Sequence, residues 1–293
     1  MRILLSGKNG QIGWELGRSL APVGDLVAFD HASLDLADRD QIVRRVREIR
    51  PGLIVNAAAY TAVDRAESEP ELAERINAEA PRILAEEARR VNALLIHYST
   101  DYVFDGTKPS AYVETDVTDP TNAYGRSKLS GEQGIRASGC RHLILRTSWV
   151  YGARGSNFLL TVLRLARERR ELRVVDDQVG APTWCRDIAV ATARLAVEAV
   201  SGDVGGLYHL TASGSTSWCG FAREILRLRG IDRPVRAIST AEYPTLAKRP
   251  ANSILSNAAI SARYGLGLPE WRNSLSNCLS EIGSASSSGR DPS

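Results

Sequence analysis

Tyr124 and Lys128 stand four residues apart in the run Asn122-Ala123-Tyr124-Gly125-Arg126-Ser127-Lys128. On a helix that spacing puts a phenol and an ammonium one turn apart on a single face. A free phenol loses its proton near pKa ~10, too high for efficient proton exchange at neutral pH. An ammonium held nearby favours the phenolate and draws that value down, which suits proton transfer at a substrate oxygen. A tyrosine packed on the stem of a surface lysine has the same spacing, and the motif is short enough to recur by chance. What decides between the two is the rest of the chain. Thr100, in Ser99-Thr100-Asp101-Tyr102-Val103-Phe104, offers a hydroxyl able to bond both a substrate oxygen and a tyrosine.

A second group of residues suits a nucleotide. The apolar run Ile3-Leu4-Leu5 leads into Gly7-Lys8-Asn9-Gly10-Gln11-Ile12-Gly13 and then a helical pattern starting at Trp14. Strand, glycine loop and helix start form the context in which Gly7, Gly10 and Gly13 let the backbone approach a pyrophosphate. The spacing is one residue wider than the commonest dinucleotide fingerprint, and a ligand-free glycine turn is the alternative. Asp30 closes the next strand, Leu26 to Phe29, where a carboxylate can bond a ribose 2′-hydroxyl. A solvated turn aspartate reads equally well there. Asn56-Ala57-Ala58-Ala59-Tyr60-Thr61 follows a third strand, and its small residues leave room either for a ligand or for tight helix packing.

These residues need a scaffold, and the hydrophobic pattern supplies one. Strands over Leu53–Val55, Ala93–Tyr98 and His142–Thr147 alternate with helices from Asp38 to Ile49, Glu71 to Asn92 and Thr121 to about Ala137. Such alternation predicts an α/β protein with a Rossmann-type doubly wound parallel sheet and right-handed crossovers. The expected organisation is a dinucleotide-binding domain over 1–150, to which about 172–200 returns. A smaller C-terminal substrate-binding lobe should occupy mainly 151–282, and the Ser/Gly-rich end, 283–293, should be a disordered tail. In the second lobe, Thr183 is expected to cap a helix from Asp187 to Val200, and further helices should run over Ser217–Arg229 and Leu268–Ile282.

With 293 residues, 37 basic against 34 acidic and a net charge of +3, the chain has no bias towards nucleic acid. Its four cysteines, Cys140, Cys185, Cys219 and Cys278, lack metal-type spacing and fit a reducing compartment. The N-terminus runs straight into the glycine loop, and no apolar run approaches the ~20 residues that cross a bilayer. A cytoplasmic protein without a membrane partner is expected.

The chain resembles the extended short-chain dehydrogenase/reductase family. The matching segments are Gly7–Leu16 (GKNGQIGWEL), Asn56–Asp64 (NAAAYTAVD), His97–Phe104 (HYSTDYVF) and Asn122–Lys128. Arg146–Tyr151 (RTSWVY), Gly180–Thr183 (GAPT) and Arg249–Ser253 (RPANS) join them. Together they span nearly the whole chain, and they point to the branch acting on a dTDP-linked keto sugar. The resemblance implies reduction of the 4-keto group of dTDP-4-dehydro-L-rhamnose to dTDP-L-rhamnose with NADH or NADPH, supplying activated rhamnose for cell-surface polysaccharide. By this resemblance Tyr124 donates the proton, Thr100 holds the substrate oxygen, and Lys128 tunes Tyr124 while binding the nicotinamide ribose. Gln11, Ile12, Asp30, Asp35, Leu36, Ala59, Tyr60 and Thr61 would line the cofactor. Asp101 and Trp149 would meet the sugar, and Arg249 and Asn252 the nucleotide diphosphate. Core packing for Trp149 and a surface salt bridge for Arg249 are the plainer alternatives.

The resemblance carries one departure and two rivals. Some members are thought to pair around a magnesium ion held by a glutamate matching Glu15 and by acids of the second lobe. One of those acids should fall at Arg186, where a cation is no ligand, so no metal is expected and a homodimer without a metal bridge stays open. Nucleotide-sugar epimerases share the fold and the Tyr-x-x-x-Lys pair but keep their cofactor and return the hydride; the Ser99–Phe104 and Arg146–Tyr151 matches favour a reductase. The regulatory subunit of methionine adenosyltransferase also resembles the family and acts without catalysis. Intact Thr100, Tyr124 and Lys128 argue against that reading.

Overall fold

Apolar runs closed by turn residues form the strands of this chain, and the amphipathic segments between them form its helices. The computed structural model describes residues 1–201 and 204–287. The chain begins with β1 (Arg2–Ser6), α1 (Gln11–Leu20), β2 (Asp25–Phe29), α2 (Arg39–Ile49) and β3 (Leu53–Asn56). There follow α3 (Val63–Ser68), α4 (Pro70–Glu74), a π-helical turn over Arg75–Glu79, α5 (Ala80–Val91) and β4 (Leu94–Thr100). Next are α6 (Ala123–Ala137), β5 (Arg141–Thr147), β6 (Val150–Tyr151), α7 (Phe158–Glu168) and β7 (Leu172–Val175). β8 (Val179–Gly180), β9 (Thr183–Trp184), α8 (Cys185–Ser201) and β10 (Gly206–His209) come after them. The last elements are β11 (Thr216–Ser217), α9 (Trp218–Leu228), β12 (Val235–Ile238), α10 (Ala258–Tyr264) and α11 (Trp271–Ser287).

Six strands form one sheet in the order β10-β5-β4-β3-β1-β2, and every neighbouring pair is parallel. The order reverses between β1 and β3, and in such sheets the crevice for ligands opens beyond the strands' carboxyl ends at that point. One face packs Leu4, Ile54, Leu95 and Ile144 against Ile42, Val46, Leu84 and Ile135 of α2, α5 and α6. The other packs Leu5, Val55 and Ile96 against Leu16, Leu20, Ile188 and Leu195 of α1 and α8. β4 is buried along its whole length, as a central strand covered on both sides must be. Cutting one of its leucines to alanine would cost ~2–5 kcal/mol. A third cluster, with Leu159, Val162, Phe221, Ile225, Trp271 and Leu275, joins α7, α9 and α11 without any strand of the main sheet.

Local capping sets the helix starts. Asp38 accepts from Gln41 N at 3.0 Å ahead of α2, and Asn122 accepts from Gly125 N at 2.8 Å ahead of α6. Asn157 and Ser217 do the same for α7 and α9. Thr183 does not cap: it lies in β9, donates to Ala181 O at 3.0 Å and accepts from Ala212 N at 3.2 Å. The helix-rich stretch expected over Glu71–Asn92 contains a π-helical turn, whose extra residue turns Asn77 inward to bond Tyr60 and Ser127.

In the later part of the chain the elements interleave. α8 packs on α1, whereas β7 leaves the main sheet to pair with β12. β10 and α10 lie on the main sheet, although they follow residue 200. α11 extends to Ser287, so the tail expected from 283 is helical at its start, and 288–293 lie outside the described residues. All four cysteines are buried and unpaired. Among the described residues, no helix is long and apolar enough to cross a membrane.

Candidate active site

The carboxyl ends of β1, β2, β3, β4 and β5 open into a cleft of about 810 Å³. Its floor is the loop after β1. Gly7 has φ +78°, and a Cβ there would come within 2.8 Å of Ala58 N; one on Gly13 would meet Gly7 O at 1.9 Å. The loop therefore lies directly on β3's exit and on the first turn of α1, and only glycine fits. α1 has Gly10 at its N-cap and so no side-chain cap, which leaves its first N–H groups turned outwards, as a pyrophosphate requires. Gly7, Gly10, Gln11, Ile12, Asp30, Asp35, Leu36, Ala59 and Thr61 all line the cleft. Gly13 and Tyr60 do not. Gly13 serves the close packing just described, and Tyr60 turns its hydroxyl to Glu69 at 2.6 Å.

At the β2 rim Asp30 is already engaged. Its Oδ1 accepts from Ser33 N and Oγ, and its Oδ2 lies 3.1 Å from Lys8 Nζ. The Ser33 hydroxyl and then Lys8 pull its pKa down to about 2. His31, 3.6 Å from Asp35, completes this exposed edge.

At the other end β4 delivers Ser99, Thr100 and Asp101, and α6 brings Tyr124 and Lys128 over them. α6 comes so close that a Cβ on Gly125 would lie 2.2 Å from Tyr102 O. Tyr124 stands edge-on to Tyr102, with centroids 5.6 Å apart. Burial pushes the Tyr124 phenol well above its ordinary range, while a hydrogen bond with Thr100 pulls it back and Asp101 and Tyr102 push it up. Lys128 makes no hydrogen bond to this phenol. Its Nζ is turned to Tyr98 O at 2.7 Å and His97 Nε2 at 3.1 Å, and burial lowers its own pKa to about 8. Asp101 is pushed up to about 6, again by burial, against hydrogen bonds from Ser253 and Thr100. Asp101 Oδ2, Ser99 Oγ and Thr147 Oγ1 are buried in the cleft wall without a partner among the described residues. Such atoms call for a polar ligand. A dinucleotide and a polar second ligand thus suit the two ends of the cleft.

Trp149 also lines the cleft, in the left-handed region at φ +49°, a strained conformation for so bulky a residue. It stacks flat on Trp218 of α9, with centroids 3.5 Å apart. Arg249 and Asn252 are not part of the lining. The Arg249 guanidinium donates to Asp64 at 2.8 Å and to Tyr102 Oη at 3.0 Å, so it reaches the cleft only through Tyr102. Asn252 donates to the carbonyls of Lys108 and Ser110 and accepts from Ile254 N, which uses its amide to pin a loop rather than to meet a diphosphate. Glu15 is clasped by Arg186 at 2.9 and 3.2 Å, and Arg186 also bonds Glu281. Sequence reasoning passed over His97, Asn56, Thr147 and Trp218. The signal for the first was a lone histidine inside the apolar run of β4.

A parallel sheet with a glycine loop at its switch point, and a tyrosine and lysine facing that loop, define an NAD(P)H-dependent oxidoreductase of the short-chain dehydrogenase/reductase class. A family model described as the RmlD substrate binding domain matches residues 1–284. The chain belongs to this family. It is 48% identical to the dTDP-4-dehydrorhamnose reductase of Burkholderia thailandensis, over 96% of this chain and 99% of that one. It is also 48% identical to the Escherichia coli protein of that name, over 96% and 98% of the two chains. The structure of a dTDP-4-dehydrorhamnose reductase from Bacillus anthracis in complex with NADP superposes with a TM-score of 0.91 at 39% identity, covering 96% of this chain and 99% of that one.

Proposed function

We propose that this protein reduces the 4-keto group of dTDP-4-dehydro-L-rhamnose to give dTDP-L-rhamnose, as a step in supplying rhamnose for cell-surface polysaccharide. The observation that carries the reading is Tyr124, a phenol kept protonated by burial, beside Thr100 and facing the cleft. The substrate assignment rests on the named relatives.

Reduced nicotinamide, when bound, supplies the hydride. Tyr124 then gives its proton to the oxygen on which charge develops, and Thr100 holds that oxygen by a hydrogen bond. A high phenol pKa fits this direction of transfer, since the donor must arrive protonated. Lys128, fixed against Tyr98 O, presents its charge beneath the tyrosine and to the nicotinamide ribose, where it favours the phenolate left behind. Asp101 Oδ2, Ser99 Oγ and Thr147 Oγ1 offer the sugar its polar partners, and Trp149 a flat apolar wall. Arg249 keeps Tyr102 in place beside Tyr124. The test is turnover of dTDP-4-dehydro-L-rhamnose with each cofactor, the product identified by NMR and cofactor oxidation counted against it. One cofactor oxidised per dTDP-L-rhamnose formed is expected; an isomerised keto sugar with no net oxidation would instead mean an epimerase.

A further inference from the structure

His97 sits in the middle of β4, 1% exposed, and the reaction above gives it no task. Its Nδ1 is 3.1 Å from Asn56 Nδ2, and its Nε2 is 3.1 Å from Lys128 Nζ. Asn56 Oδ1 in turn accepts from Ser6 Oγ at 2.6 Å. Ser6 and Asn56 are each 1% exposed and Lys128 2%, so four polar side chains run from β1 through β3 and β4 to α6, shut off from bulk solvent. In such a place every N–H needs an acceptor.

The donors and acceptors balance with the ring proton on either nitrogen. A neutral imidazole carries one N–H and one lone pair. With Asn56 Nδ2–H pointing at Nδ1, the ring proton sits on Nε2 and faces Lys128, which is satisfied only by a neutral amine. Turning the Asn56 amide by half a turn puts Oδ1 on a Nδ1–H and Nδ2 on Ser6 Oγ, a hydroxyl that accepts as well as it donates. Nε2 then offers its lone pair to a Lys128 N–H, which the ammonium and the neutral amine both supply. A doubly protonated ring fits neither arrangement, and burial together with the Lys128 charge holds the His97 pKa well below its ordinary value.

Resting on the role given to Lys128 above, we propose that His97, backed by Asn56 and Ser6, is the positioning residue that keeps Lys128 in place in both of its charge states. With its proton on Nδ1 the ring accepts from the ammonium and from the neutral amine alike, so the lysine keeps this partner whether or not it is charged. Few other groups act on the lysine. Glu132, on the same helix, favours the ammonium and is itself bound to Arg146 of β5 at 2.7 and 2.9 Å. β4 contributes His97 and the Tyr98 carbonyl, while Tyr124 and Asp101 lie on the cleft side.

The test begins with cofactor-free protein labelled with ¹⁵N-histidine, the His97 signal being identified by its loss in His97→Gln. Below about pH 7 the ring should be neutral with Nδ1–H and a bare Nε2. Above about pH 9 the ring should still be neutral and still in contact with the lysine nitrogen. An Nε2–H tautomer below pH 7, which leaves the ammonium without this acceptor, or a doubly protonated ring would overturn the proposal. His97→Gln, which keeps an acceptor near Nζ, is then compared with His97→Leu, which keeps only the bulk. The leucine variant should bind NADPH about tenfold or more weakly and move the basic limb of kcat/KM down by about one to two pH units, because it removes an acceptor that favours the charged lysine. The glutamine variant should stay within about threefold of wild type, less than the worth of one such bond. Equal losses in both variants, or an unmoved limb in the leucine variant, would make His97 a packing residue. If wild type fails to turn over the keto sugar, the substrate assignment falls, while the tautomer and cofactor-binding results still judge His97.

Discussion

Asp30 and Asp101 are carboxylates at opposite ends of one cleft, and their surroundings drive them apart. Asp30 lies on the open rim, where the Ser33 hydroxyl and Lys8 hold its pKa down at about 2. Asp101 is 3% exposed behind β4, and burial lifts it to about 6. The partners of Asp30 come from its own turn and from the neighbouring glycine loop. Those of Asp101 include Ser253, from far along the chain. At the rim charge is screened and adjustable, which suits selection between cofactors. At the buried end each polar group is worth more, and proton positions are fixed by what the fold excludes.

The largest effect should come from the buried end. Tyr124→Phe removes the proton donor and keeps the ring on Tyr102, so kcat should fall ~10²–10⁴-fold with little change in cofactor Kd. Near-normal turnover at neutral pH would leave the buried end without its chemistry.

Asp101 tests the same end through stability. Below pH ~4 its carboxyl is protonated in both folded and unfolded chain; above ~6 the fold must hold a carboxylate that burial disfavours. Wild type should therefore lose up to ~3 kcal/mol relative to Asp101→Asn as pH rises through that window. Urea unfolding of both proteins at either end of the window measures it, and a constant gap would mean that solvent reaches Asp101. Asp30 runs the other way. Its contribution is complete above the unfolded value and is lost only as pH falls towards about 2.

Trp218→Ala asks whether the buried end extends to α9. Loss of one stacked ring should raise KM for the keto sugar by about 2–10-fold and spare kcat. An unchanged KM would mean that Trp149 holds its tilt alone. The smallest effect belongs to the rim. Wild type should show a modest preference for NADH. Asp30→Ala removes a carboxylate and frees Lys8, so the ratio of kcat/KM should move towards NADPH by about tenfold or less, and less still in high salt. A ratio already favouring NADPH, or one that the substitution leaves in place, would turn Asp30 away from the ribose.

What could be read from the sequence follows the same division. The glycine loop, the Asn122 cap and the Tyr124–Lys128 spacing are local, and local geometry is what residue order encodes most directly. The parallel sheet was legible from its alternation. The partners of Lys128 were not, because Ser6, Asn56 and His97 meet only once three strands are side by side. The π-helical turn has no signature in Arg75–Glu79, and Asn252 was given a ligand that its amide, spent on two carbonyls, is not free to meet. The Thr183 hydroxyl looked like a cap because nothing nearby shows that Ala212 would claim it.

Arg186 has a wider consequence. It ties Glu15 on α1, whose first turn faces the cleft, to Glu281 on α11. The positive charge at this junction is made by the ribosome together with the rest of the chain, not drawn from the medium. It has no free concentration, cannot be stripped by a chelator, and keeps its charge at any pH the protein survives.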